Sequence, residues 1–439
     1  MKTHLRKLWD SLKSSYWFIP LVMMVLAVML WWGTSTLDHI LSIRDKKAIA
    51  WLYLSDAETI RTFLLTIAVA IIGVVGVVFT IIMVPLSIAA SQFGPRLLRT
   101  FLRDTGTQIT LGTFNATFIF CMVVLLHLST AIKQPLPQIS VNVALLLAFT
   151  SFGVLIYFIN HIAVSLQAPI VVARVSKELH TAINHDFPDD ISTAYMFSSA
   201  DHDNKMLPDV SSAHSIIIAK VSGYLQVRDD TSLLHLAREH NLVFKLLSEP
   251  GDFIVQRTAL VLTWPEINIE KISDAVNRAF IQGSQRTLVQ DVTFGINELV
   301  EVAIRALSPA INDPFTAMTC LDWIGSALCQ ICSRTLPPAK LFDQAGHLRI
   351  IRNPVTFTKL ADAAFNQIRE YGRTSRYVSV RLIDTIKVVA GCAKTDEHRK
   401  ILLHHATLVE RNSHNGLPDA NDRQVITNSY NVLKEILSS

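Results

Sequence analysis

Charge is scarce in this chain. Only 17% of its 439 residues are Asp, Glu, Lys or Arg, and half are apolar, whereas an ordinary soluble protein carries about 25% charged residues. That balance excludes a wholly water-soluble globule and requires that part of the chain sit in lipid. Cysteine is thin as well. The five, Cys121, Cys320, Cys329, Cys332 and Cys392, are odd in number and widely spread, which excludes a disulfide framework and fits reduced thiols. Common catalytic signatures are missing: there is no glycine-rich phosphate loop, no G-x-S-x-G elbow and no H-E-x-x-H pair. Cys329-Gln330-Ile331-Cys332 has metal-type spacing but neither a second pair nor an H-x-x-x-H partner, so it reads as two thiols on an apolar helix. His404-His405 and His235/His240 lack metal-ligand company too. No catalytic residue, metal or cofactor is expected, and an enzyme is the least favoured reading for want of a nucleophile and base set.

What is present comes in long apolar runs. A helix rising about 1.5 Å per residue needs about 20 apolar residues to cross a bilayer, and four segments qualify, at about 16–36, 60–90, 107–129 and 140–166. Trp17, Trp31 and Trp32 stand where interfacial aromatics belong. The second run contains Gly73 and Gly76, which permit close helix approach, and Pro85, which removes a backbone donor and predicts a kink. Residues 1–169 are therefore read as a transmembrane domain.

Charge placement sets the expected orientation. Residues 1–169 carry 12 Lys/Arg against 6 Asp/Glu, and residues 170–439 carry 28 against 30. A nucleic-acid binder would concentrate its basic face on the second part, so nucleic acid is not an expected partner and the excess is a topology signal. Lys2, Arg6, Lys7 and Lys13 precede the first run, Arg96, Arg99 and Arg103 lie between the second and third, and Arg174 and Lys177 follow the fourth. These places share one side, which makes both termini cytoplasmic.

In the connection SQFGPRLLRTFLRD, a helical projection gathers Arg96, Arg99 and Arg103 on one face and Leu97, Leu98, Phe101 and Leu102 on the other. A short interfacial helix follows from that pattern. Its arginines either grip lipid phosphates or form the vestibule of an anion pathway. Within the spans, Asn115, Asn160 and His161 are candidate pathway or interface residues, with interhelical hydrogen bonding as the plainer role for the two asparagines. No Asp, Glu, Lys or Arg lies centrally in any span, which counts against a proton-coupled pump.

Behind the spans, residues 170–212 form a helical exit and a polar linker with Pro188 and Pro208. Residues 213–268 turn to a strand pattern, with a turn at Glu249-Pro250-Gly251-Asp252 and a short helix near 232–240. A small β-barrel or sandwich-like module is expected there. Residues 269–439 repeat apolar positions every three or four residues and read as mainly helical. The overall expectation is a polytopic α-helical membrane protein with four transmembrane helices and a cytosolic α+β domain.

Ser308 to Thr316, SPAINDPFT, is the most motif-like stretch. Asp313 is suited to cap the following helix with Pro314 at its first position, and Asn312 to a tight turn. The functional alternative places Asn312 and Asp313 with Arg286 and Asp291 in one cytosolic polar site. The stretches SQFGPRLLRTFLRDTGTQITLGTFNATFIF, SGYLQ followed by PGDF, and FGINELVEVAIRALSPAINDPFTAMTCLDWIG closely resemble the bacterial membrane proteins grouped as domain of unknown function 2254. The resemblance spans most of the chain and implies an inner-membrane protein with an N-terminal spanning region and a cytosolic C-terminal part. It implies no catalytic role for any residue. The leading functional expectation is a homo-oligomeric ion channel or passive transport pathway, contacting the lipid bilayer and gated by its cytosolic domain. The alternative is a membrane-tethered regulatory or scaffolding protein that recruits a cytosolic protein partner.

Overall fold

Four long apolar helices lead the chain in a computed structural model that describes residues 17–41, 56–93, 104–130, 136–165, 167–187 and 214–438. They are α1 (Phe18–Leu41), α2 (Ala57–Phe93), α3 (Thr105–Thr130) and α4 (Gln138–Ser165). Each covers most of one of the apolar runs, with ends one to five residues from the expected ones. The chain divides into two compact units, Met1–Ile170 and Val171–Ser439, and each is described by itself.

In the first unit α3 is the inner helix, packed against α1, α2 and α4. Phe120 and Val124 of α3 are buried among Ile60 and Leu64 of α2, Ala27 of α1 and Val141 of α4. The other helices leave Met29, Val69, Phe79, Phe149 and Ile156 exposed, an outer surface suited to lipid rather than water. A Cβ at Gly112 would run into Met23 and the Pro20 backbone, so glycine there lets α1 and α3 pass close together. Gly73 and Gly76, expected to serve close packing, instead have nothing within 4 Å of a Cβ and face outward. Buried hydroxyls are satisfied locally: Thr110, Thr113 and Thr117 donate to the carbonyl one turn back at 2.8–2.9 Å. Thr117 also lies 2.9 Å from Ser151 Oγ on α4, the interhelical contact that a hydroxyl in an apolar bundle favours.

The second unit holds most of α5 (Ala168–Asp186) and all eight strands: β1 (Ser215–Ile218), β2 (Gly223–Arg228), β3 (Val243–Leu246), β4 (Phe253–Ile254), β5 (Ala259–Trp264), β6 (Phe280–Gly283), β7 (Lys340–Phe342) and β8 (Leu348–Ile351). One sheet has the order β1-β5-β3-β8-β7 and the other β4-β2-β6. Pairing is antiparallel except between β3 and β8, where Phe244 stands opposite Ile350 in parallel register. Alternation in β3 sends Phe244 and Leu246 inward. With α6 (Asp230–Glu239) and α7 (Glu270–Ala279) the sheets bury a common cluster that includes Leu225, Phe244, Val261, Val276 and Ile350.

Among the described residues, three of the eight strands therefore arise from the stretch read as helical. Each has three or four residues, too few to print a period of two on the sequence, and β6 continues directly from α7. The remaining helices are α8 (Val292–Ala306), α9 (Pro314–Ser333), α10 (Phe357–Gly372), α11 (Arg376–Cys392), α12 (Asp396–Gly416) and α13 (Ala420–Ser438). Their starts are chemically marked: Asp291, Asp313, Thr356, Ser375 and Thr395 each accept a backbone N–H from the first turn. By length and composition α9 is a fifth candidate membrane span beside the first four.

Candidate functional site

The end of α5 is anchored by Arg334, which donates to the Phe187 carbonyl and to Asn184 Oδ1, both at 2.7 Å. That anchor fixes His185 and Asp186 at the rim of a cavity of about 270 Å³. The same cavity is lined by the end of β2 with Arg228, the start of α6 with Asp230, the turn at Glu249-Pro250, and the start of α8 with Gln290 and Asp291. The end of β8 contributes Arg352 and Asn353, and α10 contributes Lys359.

Its charges are interlocked. Arg228, 4% exposed, donates from Nε to Asp230 at 2.6 Å and from Nη1 to Glu249 at 2.9 Å and the Ser248 carbonyl at 3.0 Å. Arg352, 9% exposed, donates from Nη1 to the same Asp230 and from Nε to the Pro338 carbonyl at 2.9 Å. Two buried guanidiniums thus share one carboxylate, while Glu249 also accepts the Asn353 N–H at 3.1 Å. Asp291 has a double duty. One oxygen caps α8 by accepting from Phe294 N at 3.0 Å, and the other takes Nε and Nη2 of Arg286 at 2.8 and 2.7 Å.

Burial works against these carboxylates. It raises Glu249 and Asp291 above the usual carboxylate range despite their arginine partners. Burial likewise pushes the Asp186 carboxyl up to about 6, the nearby Asp291 adding to the rise against a pull down from His185. Asp186 accepts from His185 Nδ1 at 2.9 Å. Among the described residues no group of three metal-type ligands forms. The arrangement can hold a small polar molecule through charge and hydrogen bonds.

Of the four residues expected to form one cytosolic polar site, the structure brings two together. Arg286 and Asp291 pair and Asp291 lines the cavity. Asn312 and Asp313 stand beyond the opposite end of α8, where Asn312 adopts φ +50° and Asp313 caps α9 through Thr316 N at 3.1 Å. In the first unit, Arg96, Arg99 and Arg103 lie outside the described residues. Asn115 is half-buried on α3, and Asn160 is exposed on α4. His161 is 2.7 Å from Asp104 Oδ2, in space that a Cβ at Gly106 would occupy, and stacks on Tyr157. Sequence reading missed Asp186, Arg228, Asp230, Glu249 and Arg352. The signal was slight: an Arg-Asp-Asp run at 228–230 and an arginine closing β8.

Comparison with known proteins adds a family but no activity. The family model described as "Predicted membrane protein (DUF2254)" matches residues 13–388. Two uncharacterized proteins, one of Mycobacterium bovis and one of Mycobacterium tuberculosis, are each 28% identical over 426 residues, covering 95% of this chain and 80% of their own length. No solved structure matches the chain.

Proposed function

The chain belongs to the DUF2254 family of predicted membrane proteins, and from that premise we propose that it is a ligand-responsive membrane regulator. In this reading four spans hold it in a bacterial inner membrane with both termini cytoplasmic, and the C-terminal unit binds a small polar molecule in the cavity. One observation carries it: Arg228, Arg352 and Asp291 are all buried at the wall of one cavity. Apolar residues of similar volume would commonly stabilise such a site as well or better, and buried charge with shifted carboxyls in a cavity is a mark of binding sites.

The four-span count rests on α9 belonging to the interior of the second unit. Its Asp322 pairs with Arg381 of α11 at 3.3 Å, and its Ser326 is 3.1 Å from His180 Nε2. Its Ala317, Leu321, Ile324 and Leu328 are fully buried in the helical layer.

The test is thermal melting of the full-length protein in detergent against a panel of polar metabolites of amino-acid to nucleotide size. At least one is expected to raise the melting temperature of the wild type but not of Arg352→Gln. A panel that leaves the wild type unmoved would remove the reading.

A homo-oligomeric passive pathway is a second reading, favoured by Asn160. Its amide is exposed on the apolar α4 and makes no hydrogen bond among the described residues, and a neighbouring copy in the bilayer would satisfy it. The outward Gly73 and Gly76 supply a close-packing face for such a copy. Purified protein in liposomes should then pass a small ion; absence of flux for every ion tried would dispose of it.

A further inference from the structure

Resting on the reading of the cavity as a ligand site, the geometry points to a small zwitterion of amino-acid size as its occupant, with the anionic group on Arg352 and the ammonium on Asp186. Two side chains that line the cavity keep opposite, unused hydrogen-bonding capacity. A guanidinium has five N–H donors. In Arg352 the Nε and Nη1 groups are engaged by Pro338 and Asp230, while Nη2 has no partner among the described residues. That Nη2 is also absent from the polar atoms sealed away from solvent, although the side chain is nine-tenths buried. It therefore keeps solvent access, on a side chain that lines the cavity.

Asp186 shows the converse. Asp186 Oδ1 accepts from His185, whereas Oδ2 has no partner among the described residues and is not sealed. Asp291 beside it already accepts from Arg286 on one oxygen and from Phe294 N–H on the other, so it adds negative potential without offering an unpartnered oxygen. An ammonium at Asp186 would relieve the repulsion between the two carboxylates. An anion at Arg352 would take the free N–H donors in a charge-assisted pair.

Single-charge ligands fit less well. Phosphate at Arg352 would share the cavity with the carboxylates of Asp186, Asp230, Glu249 and Asp291, and a polyamine would share it with both guanidiniums and the Lys359 ammonium. A metal ion lacks a set of three ligands among the described residues. The volume of about 270 Å³ lies just below the usual range for small-molecule pockets, which limits the occupant to a compact one.

The experiment uses full-length protein in detergent, melted and titrated by calorimetry with each of the standard L-α-amino acids. Acetate, methylammonium and inorganic phosphate serve as single-charge probes at the same concentration. At least one amino acid should raise the melting temperature by several degrees in a saturable way, with the single-charge probes ineffective. Arg352→Gln and Asp186→Asn, each first shown by circular dichroism to fold, should weaken its binding about tenfold or more. Phosphate or acetate binding as well as any amino acid would overturn the zwitterion and leave the cavity reading standing. Silence from every amino acid would also overturn it; silence from the wider metabolite panel as well would take the cavity reading down with it.

Discussion

Asp38 of α1 caps α4 through Ser140: its carboxylate accepts Ser140 N–H at 3.1 Å and Ser140 Oγ–H at 2.7 Å, and Ile139 N–H at 2.7 Å. The first N–H groups of a helix have no intrahelical acceptor, and near a bilayer an orphan donor is expensive. A neighbouring helix supplies the missing acceptor here. Asp38→Ala should lower stability by about 1–2 kcal/mol, read as a fall in melting temperature in detergent, with Asp38→Asn falling less. An unchanged melt for Asp38→Ala would mean that solvent or headgroups cap α4 instead.

Gly251 is placed where only glycine fits. Its φ is +96°, and a Cβ there would meet the Asp291 carboxylate and stand 3.1 Å from Arg286 Nη2. Gly251→Ala should therefore destabilise by about 1–3 kcal/mol and also impair binding in the cavity. The check is a melt and a ligand titration on the same preparation; a variant as stable as wild type would show that the turn can swing clear.

Asp186 makes stability depend on pH in a definite direction. An unfolded aspartate titrates near 4, whereas burial raises the folded carboxyl to about 6. Between these values the folded chain binds more protons, so its contribution is fully present below about pH 4 and is lost as pH rises through about 6. Asp186→Asn removes that dependence and should raise stability at neutral pH by about 1–3 kcal/mol, while weakening ligand binding. Parallel denaturation curves for wild type and variant across pH 4–7 would contradict it.

His405 has the opposite sign. It is 1% exposed, burial lowers it to about 4, and neither ring nitrogen makes a hydrogen bond although Nε2 lies 3.3 Å from Asp362. Its folded value is below the unfolded one near 6.5, so stability is present above about pH 6.5 and is lost as pH falls through 4. His405→Leu should flatten that acid limb and gain about 1 kcal/mol at neutral pH by removing unpaired buried nitrogens. Greater acid sensitivity in the variant would reverse the assignment.

Asp313 supplies a contrast to Asp291. Both cap helices, but Asp313 stands at the far end of α8 from the cavity. Asp313→Ala should cost about 1 kcal/mol of stability and leave ligand affinity at the cavity unchanged. A matching loss of affinity, measured by titration, would tie the two ends of α8 together.

Legibility varied with how local the cause was. The capping role of Asp313 could be read directly, since Asn312, Asp313 and Pro314 carry turn, cap and first-position chemistry in three consecutive residues. Apolar spacing placed helices near 356–371, 375–393, 395–412 and 420–437, and the structure has them at 357–372, 376–392, 396–416 and 420–438. Strand β8 did not, because its four residues matter only through β3, a partner about a hundred residues earlier.

The amino-acid sequence by itself determined the four long apolar helices, the helical exit and the family, because hydropathy and period act over a turn or a span. Tertiary structure alone decided the cavity. Asp186, Arg228, Asp291 and Arg352 come from separate elements, and each looks like an ordinary surface charge until folding encloses it. Charge acquires its meaning here from burial and from the partner across the gap, and neither is a local property of the chain.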